Sequence, residues 1–146
     1  LADVTLRPAA ESDQTRIRDL IRRVNINPLS LHWQNFVIAE RDGDFAGCGQ
    51  IKTHGDRSRE LASIAVEERY RRLGIARMII THLIDSAPRP LYLTCRAQLG
   101  SFYARFGFRA INTREMTPHF KRIYRLAKIL MTFMKPGNGI LVMKLD

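Results

Sequence analysis

The 146-residue chain is 45% hydrophobic, enough to fill one ordinary core, and residues 1–146 read as a single domain. No stretch approaches the roughly 20 uncharged apolar residues of a membrane-spanning helix, and residues 1–10 carry Asp3 and Arg7 and lack the apolar run of a signal peptide. Lys and Arg outnumber Asp and Glu by 24 to 14, and the formal charge of +10 favours anionic partners.

Those partners include nucleic acid, an acidic membrane surface, acidic peptides and a phosphorylated cofactor. No recognisable nucleic-acid-binding module accompanies the charge, so nucleic acid is not the favoured partner. Cys48 and Cys95 stand apart, without a CxxC or a Cys/His pair at metal spacing. No disulfide framework and no metal site is expected, and a reducing, cytoplasmic setting fits. The chain starts at Leu1 rather than Met, which leaves a removed leader open.

In chain order, residues 4–7 predict a short strand ended by Pro8. Ser12 or Asp13 can cap a helix in which Ile17, Leu20, Ile21 and Val24 recur at helical spacing. Residues 25–31, with Pro28, break the pattern. Residues 36–40 and 45–53 read as an antiparallel pair joined at Asp42-Gly43, a strong hairpin signal. Residues 61–66 are another apolar run, followed by a charged loop over 67–73. A helix over about 74–85 then turns Ile75, Met78, Ile79, His82 and Leu83 toward a sheet, with His82 half-buried. Pro88 and Pro90 bracket a turn before a strand over 91–95. A short helix over 98–105 ends at Gly107, and residues 108–114 return as a strand.

A basic insert follows over 116–135. Phe120, Ile123, Tyr124, Ala127, Leu130, Met131 and Met134 repeat there at helical spacing, with Lys121, Arg122, Arg125 and Lys128 at other positions. Thr117 and Pro118 start that helix. Pro136-Gly137 precedes a last strand over 139–145. Hairpins mixed with a strand–helix–strand crossover imply an α/β (α+β) fold. Its central sheet is mixed, mostly antiparallel, of about six to seven strands flanked by helices, with an extra helix before the last strand.

The most informative segment is Arg71-Arg72-Leu73-Gly74-Ile75-Ala76, between an apolar strand and an amphipathic helix. A helix start exposes unpaired amides and the positive end of the dipole, and so attracts phosphate. Gly74 and Ala76 leave room for an anion, and Arg71, Arg72 and Arg77 add charge. The segment is neither GxGxxG nor GxxxxGK-S/T, so it carries no dinucleotide or Walker signature. An ordinary strand-to-helix turn with solvated arginines is the alternative.

Residues 60–76 read Glu-Leu-Ala-Ser-Ile-Ala-Val-Glu-Glu-Arg-Tyr-Arg-Arg-Leu-Gly-Ile-Ala. They resemble the central motif of the GNAT superfamily of N-acetyltransferases, Arg/Gln-x-x-Gly-x-Gly/Ala after a strand ending in Ala-Val. Arg71, Gly74 and Ala76 fill its three defining positions. The resemblance implies a GNAT-like fold that uses acetyl-CoA (coenzyme A) as acetyl donor. It implies that amides of the turn spanning Arg71, Arg72, Leu73, Gly74, Ile75, Ala76 and Arg77 hold the pyrophosphate. It also implies that the edge of Ile64, Ala65 and Val66 binds the pantetheine arm. Glu68 departs from the pattern, standing where proline is common. Ser101-Phe102-Tyr103-Ala104-Arg105-Phe106-Gly107-Phe108 resembles the family's Leu/Phe-Tyr-x-x-x-Gly-Phe element, with Arg96 in place of an upstream asparagine.

Acetyl transfer to an amine needs a deprotonated amine, a stabilised oxyanion and a protonated leaving thiolate. General acid and base groups typically supply about 10²–10⁴-fold each. Glu60 stands at the base position that the resemblance suggests, with a strand-end surface Glu as the other reading. Glu67 and Glu68 are poorer candidates, expected to pair with Arg69, Arg71 or Arg72. The resemblance points to Tyr103 as general acid to the sulfur, with a packing aromatic as the alternative. A backbone amide near Val66 is expected at the oxyanion. Cys95, on an apolar strand without a marked histidine base, reads as structure rather than nucleophile.

These readings predict direct transfer to a primary amine in a ternary complex, and the basic insert favours an acidic acceptor. A non-catalytic CoA-sensing or interaction module on the same fold and a basic nucleic-acid-binding protein are the alternatives. Superfamily members often form homodimers, and the sequence leaves that open.

Overall fold

The computed structural model describes residues 3–131 and 139–146. They fall into two compact units, Leu1–Lys52 with Leu61–Ala87, and Thr53–Glu60 with Pro88–Asp146.

The first unit carries β1 (Val4–Pro8), α1 (Gln14–Arg23), β2 (Phe36–Arg41), most of β3 (Asp44–Thr53), most of β4 (Arg59–Val66) and α2 (Ile75–Ser86). β1 and β2 pair antiparallel, as do β2 and β3. The β2–β3 turn has Asp42 at φ +50° and Gly43 at φ +83°. Two successive left-handed residues make the primed turn that matches strand twist, and Asp-Gly supplies them at little cost. Asp13 rather than Ser12 organises the start of α1. Its carboxylate accepts from the Ala10 amide at 2.7 Å and from both terminal nitrogens of Arg7 at 2.7 and 2.9 Å. Ile17, Leu20 and Ile21 of α1 are fully buried in a cluster with Phe36, Ile38, Phe45 and Cys48.

α2 buries Ile75, Ile79, Ile80, Leu83 and Ile84. Gly49 on β3 makes room for it: a methyl there would lie 2.6 Å from the Ile79 side chain. Ile75, Ile79 and Leu83 face inward as expected, while Ile80 and Ile84 take the inner places expected of Met78 and His82. His82 is exposed rather than half-buried.

The second unit carries the start of β4, β5 (Leu91–Arg96), α3 (Gly100–Ala104), β6 (Arg109–Ala110), α4 (Pro118–Met131) and β7 (Ile140–Leu145). β5 and β6 each pair antiparallel with β7, and β5 meets β4 in parallel at Glu60↔Tyr92. The hydrogen-bonded order is β1-β2-β3-β4-β5-β7-β6, a seven-stranded mixed and mostly antiparallel sheet, as expected from the sequence.

The predicted strand over 108–114 shrinks to Arg109–Ala110. Asn112 ends it by accepting the Arg114 amide at 3.0 Å and starting a 3-10 turn over Thr113–Glu115. Tyr92, Met116, Phe120 and Val142 form the buried core of this unit. Phe120 is the fully buried member of α4, whereas Leu126, Ile129 and Leu130 are more than half exposed. Met134 and the Pro136-Gly137 turn lie outside the described residues. Among the described residues no helix is long and apolar enough to cross a membrane.

Candidate active site

In the first unit, the turn singled out from the sequence opens α2. Arg72 sits at φ +66° and Gly74 at φ +79°, so the chain passes twice through left-handed backbone before the helix starts. The first intrahelical donor beyond the turn is Met78, whose amide reaches the Gly74 carbonyl at 3.1 Å. The amides of Ile75, Ala76 and Arg77 precede it and project from the positive end of the helix dipole. Arg71, Arg72 and Arg77 are exposed around this end, and Ile75 is buried and anchors it. The arrangement fits paired phosphates: free donors, a glycine in the conformation that favours it, and three cations.

Glu67 makes its hydrogen-bonded ion pair away from those cations. Its carboxylate takes both terminal nitrogens of Arg23 on α1, at 2.7 and 3.0 Å, in place of the expected Arg69, Arg71 or Arg72. Those bonds hold it below the usual carboxylate range. Arg71 instead donates its Nε to the Val66 carbonyl at 3.4 Å. Arg69 lies over the Tyr70 ring at 4.7 Å.

Ser63 was not foreseen. It holds φ +58° within β4, between Glu60 and the Ile64–Ala65–Val66 segment. Such a conformation costs a non-glycine residue about 1–2 kcal/mol. Gln50 Nε2 donates to its hydroxyl at 2.8 Å and Cys48 Sγ to its carbonyl at 3.8 Å. Serine is no signal for left-handed backbone, so nothing in the sequence marked the kink.

In the second unit, Glu60 is 8% exposed. His54 Nε2 lies 2.8 Å from its Oε1, and Thr94 Oγ1 donates to Oε2 at a long 3.5 Å. The His54 ring stacks on His119 with centroids 3.4 Å apart and planes 15° apart. Phe120 meets both rings edge-on, and Tyr92 stacks on Phe120. The His119 amide donates to Asp56 Oδ2 at 2.9 Å, and Ser58 donates to Asp56 Oδ1 through both its amide and its hydroxyl. Burial pushes the Asp56 carboxyl up, but these bonds outweigh it and hold it well below the usual range. Burial pushes the His119 imidazole down, and the facing His54 ring adds to that. His119 Nε2 is buried without a hydrogen-bond partner.

Donor atoms of His54, Glu60 and His119 lie within 4.8 Å of one another. Stacked, near-parallel imidazoles point their lone pairs side by side rather than at one centre. The cluster is therefore a hydrogen-bonded histidine–carboxylate dyad with a second ring behind it. Neither His54 nor His119 lies in a sequence context that marks it as functional. The available signal was spacing: His54 and Glu60 stand six positions apart across a tight connection, closed by the His54 amide to the Ser58 carbonyl at 2.9 Å.

Tyr103 sits half-buried on α3, with Phe102 and Phe108 edge-on at 5.1 and 6.3 Å. Burial, with Cys95 adding to it, pushes the phenol up to about 12. The hydroxyl stays protonated at neutral pH. Cys95 is half-buried 3.9 Å from the Met143 sulfur, and burial raises its thiol. Cys48 is fully buried and pushed up to about 12. Neither is a thiolate at neutral pH.

Residues 6–108 match the acetyltransferase (GNAT) family profile. The amino-acid acetyltransferase of Neisseria meningitidis serogroup A is 27% identical over 138 residues, 85% of this chain and 31% of its own length. The chain thus spans about a third of the length of that relative. The N-acetylglutamate synthase of Neisseria gonorrhoeae, crystallised with coenzyme A and L-arginine, superposes with a TM-score of 0.75 at 26% identity, over 98% of this chain and 33% of that one. Rv2747 from Mycobacterium tuberculosis, crystallised with CoA and NLQ, superposes with a TM-score of 0.71 at 25% identity, over 97% and 98% of the two chains. With more than two thirds of its residues inside the matched span and the motif turn opening α2, the chain belongs to the acetyltransferase (GNAT) family.

Proposed function

We propose that this chain transfers an acetyl group from acetyl-CoA to the amino group of an amino acid, by direct attack in a ternary complex. The observation that carries the proposal is the left-handed Gly74 opening α2, with the Ile75, Ala76 and Arg77 amides ahead of the first intrahelical bond. When bound, acetyl-CoA supplies an acyl group activated as a thioester. The chain's own residues supply the rest. The α2 start and Arg71, Arg72 and Arg77 hold the diphosphate, and the edge of Ile64, Ala65 and Val66 holds the pantetheine arm. Glu60 removes a proton from the amine, directly or through one water. An amide near Val66 faces the charge that develops on the acetyl oxygen. Tyr103, kept neutral by burial, donates to the departing sulfur.

The names and bound molecules of the relatives support an amino-acid acceptor. The net charge of +10 and the basic residues of α4 support an acidic one. A calorimetric titration with acetyl-CoA, followed by thiol release across an amino-acid panel, tests both parts. Saturable binding and fastest turnover with an acidic amino acid are expected. Absence of acetyl-CoA binding overturns the proposal. Joint neutralisation of Lys121, Arg122, Arg125 and Lys128 that leaves acceptor preference unchanged overturns the role of α4.

A further inference from the structure

We infer that His54 is a positioning residue for the base: it pins Oε1 of Glu60, leaves Oε2 as the atom that receives the amine's proton, and is itself held by His119. The inference rests on Glu60 being the base.

An ionised carboxylate only accepts hydrogen bonds, so the 2.8 Å contact requires the proton on His54 Nε2. Oε1 is thereby occupied. Oε2 has only the long 3.5 Å contact from Thr94 and remains the more available proton acceptor. A glutamate side chain has three rotatable bonds, and a misplacement of about 1 Å in a reacting group can cost about 10²-fold in rate. One short bond from a rigid ring removes most of that freedom.

The ring is rigid because it is packed on two sides. His119 covers one face, and Phe120 stands against it at 89°. His119 is fixed in turn, since its backbone amide is tied to Asp56 in the same connection that carries His54. His54 faces Glu60 from its own segment and His119 and Phe120 from α4; around these, Thr94 reaches Glu60, Tyr92 stacks on Phe120, and Asp56 and Arg122 act on His119. The first turn of α4 therefore acts as a clamp on the base. The proton balance is simple. An N–H bond of the ammonium breaks and an O–H bond forms at Oε2. His54 keeps its Nε2–H throughout, and the proton later leaves Oε2 for water.

His54→Phe keeps a ring to stack on His119 but removes the N–H. His54→Gln keeps an N–H without a titrating ring. Thiol release from acetyl-CoA with glutamate is the assay. For His54→Phe, kcat is expected to fall about 10–100-fold, with KM for acetyl-CoA unchanged. His54→Gln should recover most of the rate. An unchanged rate in His54→Phe, beside an inactive Glu60→Gln, overturns this inference alone. Full activity in Glu60→Gln overturns the base reading beneath it. Long-range proton–nitrogen NMR of the unmodified protein gives a readout independent of turnover and of whether the variants fold. The proton should reside on His54 Nε2. A proton on Nδ1 overturns the inference.

Discussion

Gly74→Ala adds a single methyl and separates conformational cost from ligand loss. Gly74 stands at φ +79°, where an L-residue costs about 1–2 kcal/mol. Alanine also restricts the unfolded chain, which returns about 0.4–1 kcal/mol, so the net destabilisation should be about 0–1.6 kcal/mol. Gly43 is a matched control. It has φ +83°, lies in the β2–β3 turn, and has no atom within 4 Å of an added Cβ. Gly43→Ala should cost the same stability. The two variants differ at the ligand. Relaxing φ at residue 74 swings the Ile75, Ala76 and Arg77 amides away from their common focus. Loss of one charge-assisted hydrogen bond is worth about 1.5–3 kcal/mol, or about tenfold to a hundredfold in Kd. Paired urea melts and acetyl-CoA calorimetry measure both quantities. Equal stability losses with an acetyl-CoA Kd unchanged in Gly74→Ala would refute the assignment of these amides.

Three further outcomes follow from the same geometry. Tyr103→Phe should lower kcat by about 10²-fold with acetyl-CoA affinity retained, because only the proton donor is lost; an unchanged rate in the thiol-release assay removes Tyr103 from the chemistry. Asp13→Ala should cost about 2–3 kcal/mol in a urea melt at pH 7, between the values for surface and buried ion pairs, since Asp13 is buried and its Arg7 partner one-third exposed. Arg7 holds the Asp13 carboxyl low, so this stability is present above the unfolded value of about 3.9 and is lost as pH falls through the folded value. The gap between parent and variant should therefore close on acidification, and a gap constant with pH would refute the pairing. Phe120→Ala should cost about 3–5 kcal/mol and should also loosen His54, which it meets edge-on; a variant as stable as the parent would contradict its burial.

The features legible in the sequence are those fixed by near neighbours. Asp42-Gly43 marked its turn because the residue types themselves permit left-handed backbone. The start of α2 was legible because Gly74 and the flanking arginines are adjacent. Glu60 stood out through its place at the head of a motif strand, and the structure buries it. The features that were missed join residues far apart in sequence or reverse a residue's usual preference. Glu67 finds Arg23, 44 residues away, rather than a local arginine. Residues 108–114 are apolar enough for a strand, but Asn112 diverts the backbone into a turn. Ser63 adopts a conformation that its side chain does not advertise, and its partner Gln50 is on another strand.

α4 shows why periodicity alone could not resolve the role of the insert. Its apolar spacing is continuous from Phe120 onward, yet the helix has two different halves. The first turn is structural and sits next to the site: Phe120 fills the core, His119 covers His54, and the His119 amide is tied to Asp56. Farther along, Leu126 and Ile129 lie exposed beside Arg122 and Arg125, and Leu130 is exposed too, so apolar spacing there does not signify burial. Core filling at the first turn and exposed apolar side chains farther along belong to one helix. The segment that looked like an addition to the fold orders the carboxylate on which the proposed chemistry depends, and it does so through a backbone amide and a stacked ring that no hydrophobic pattern encodes.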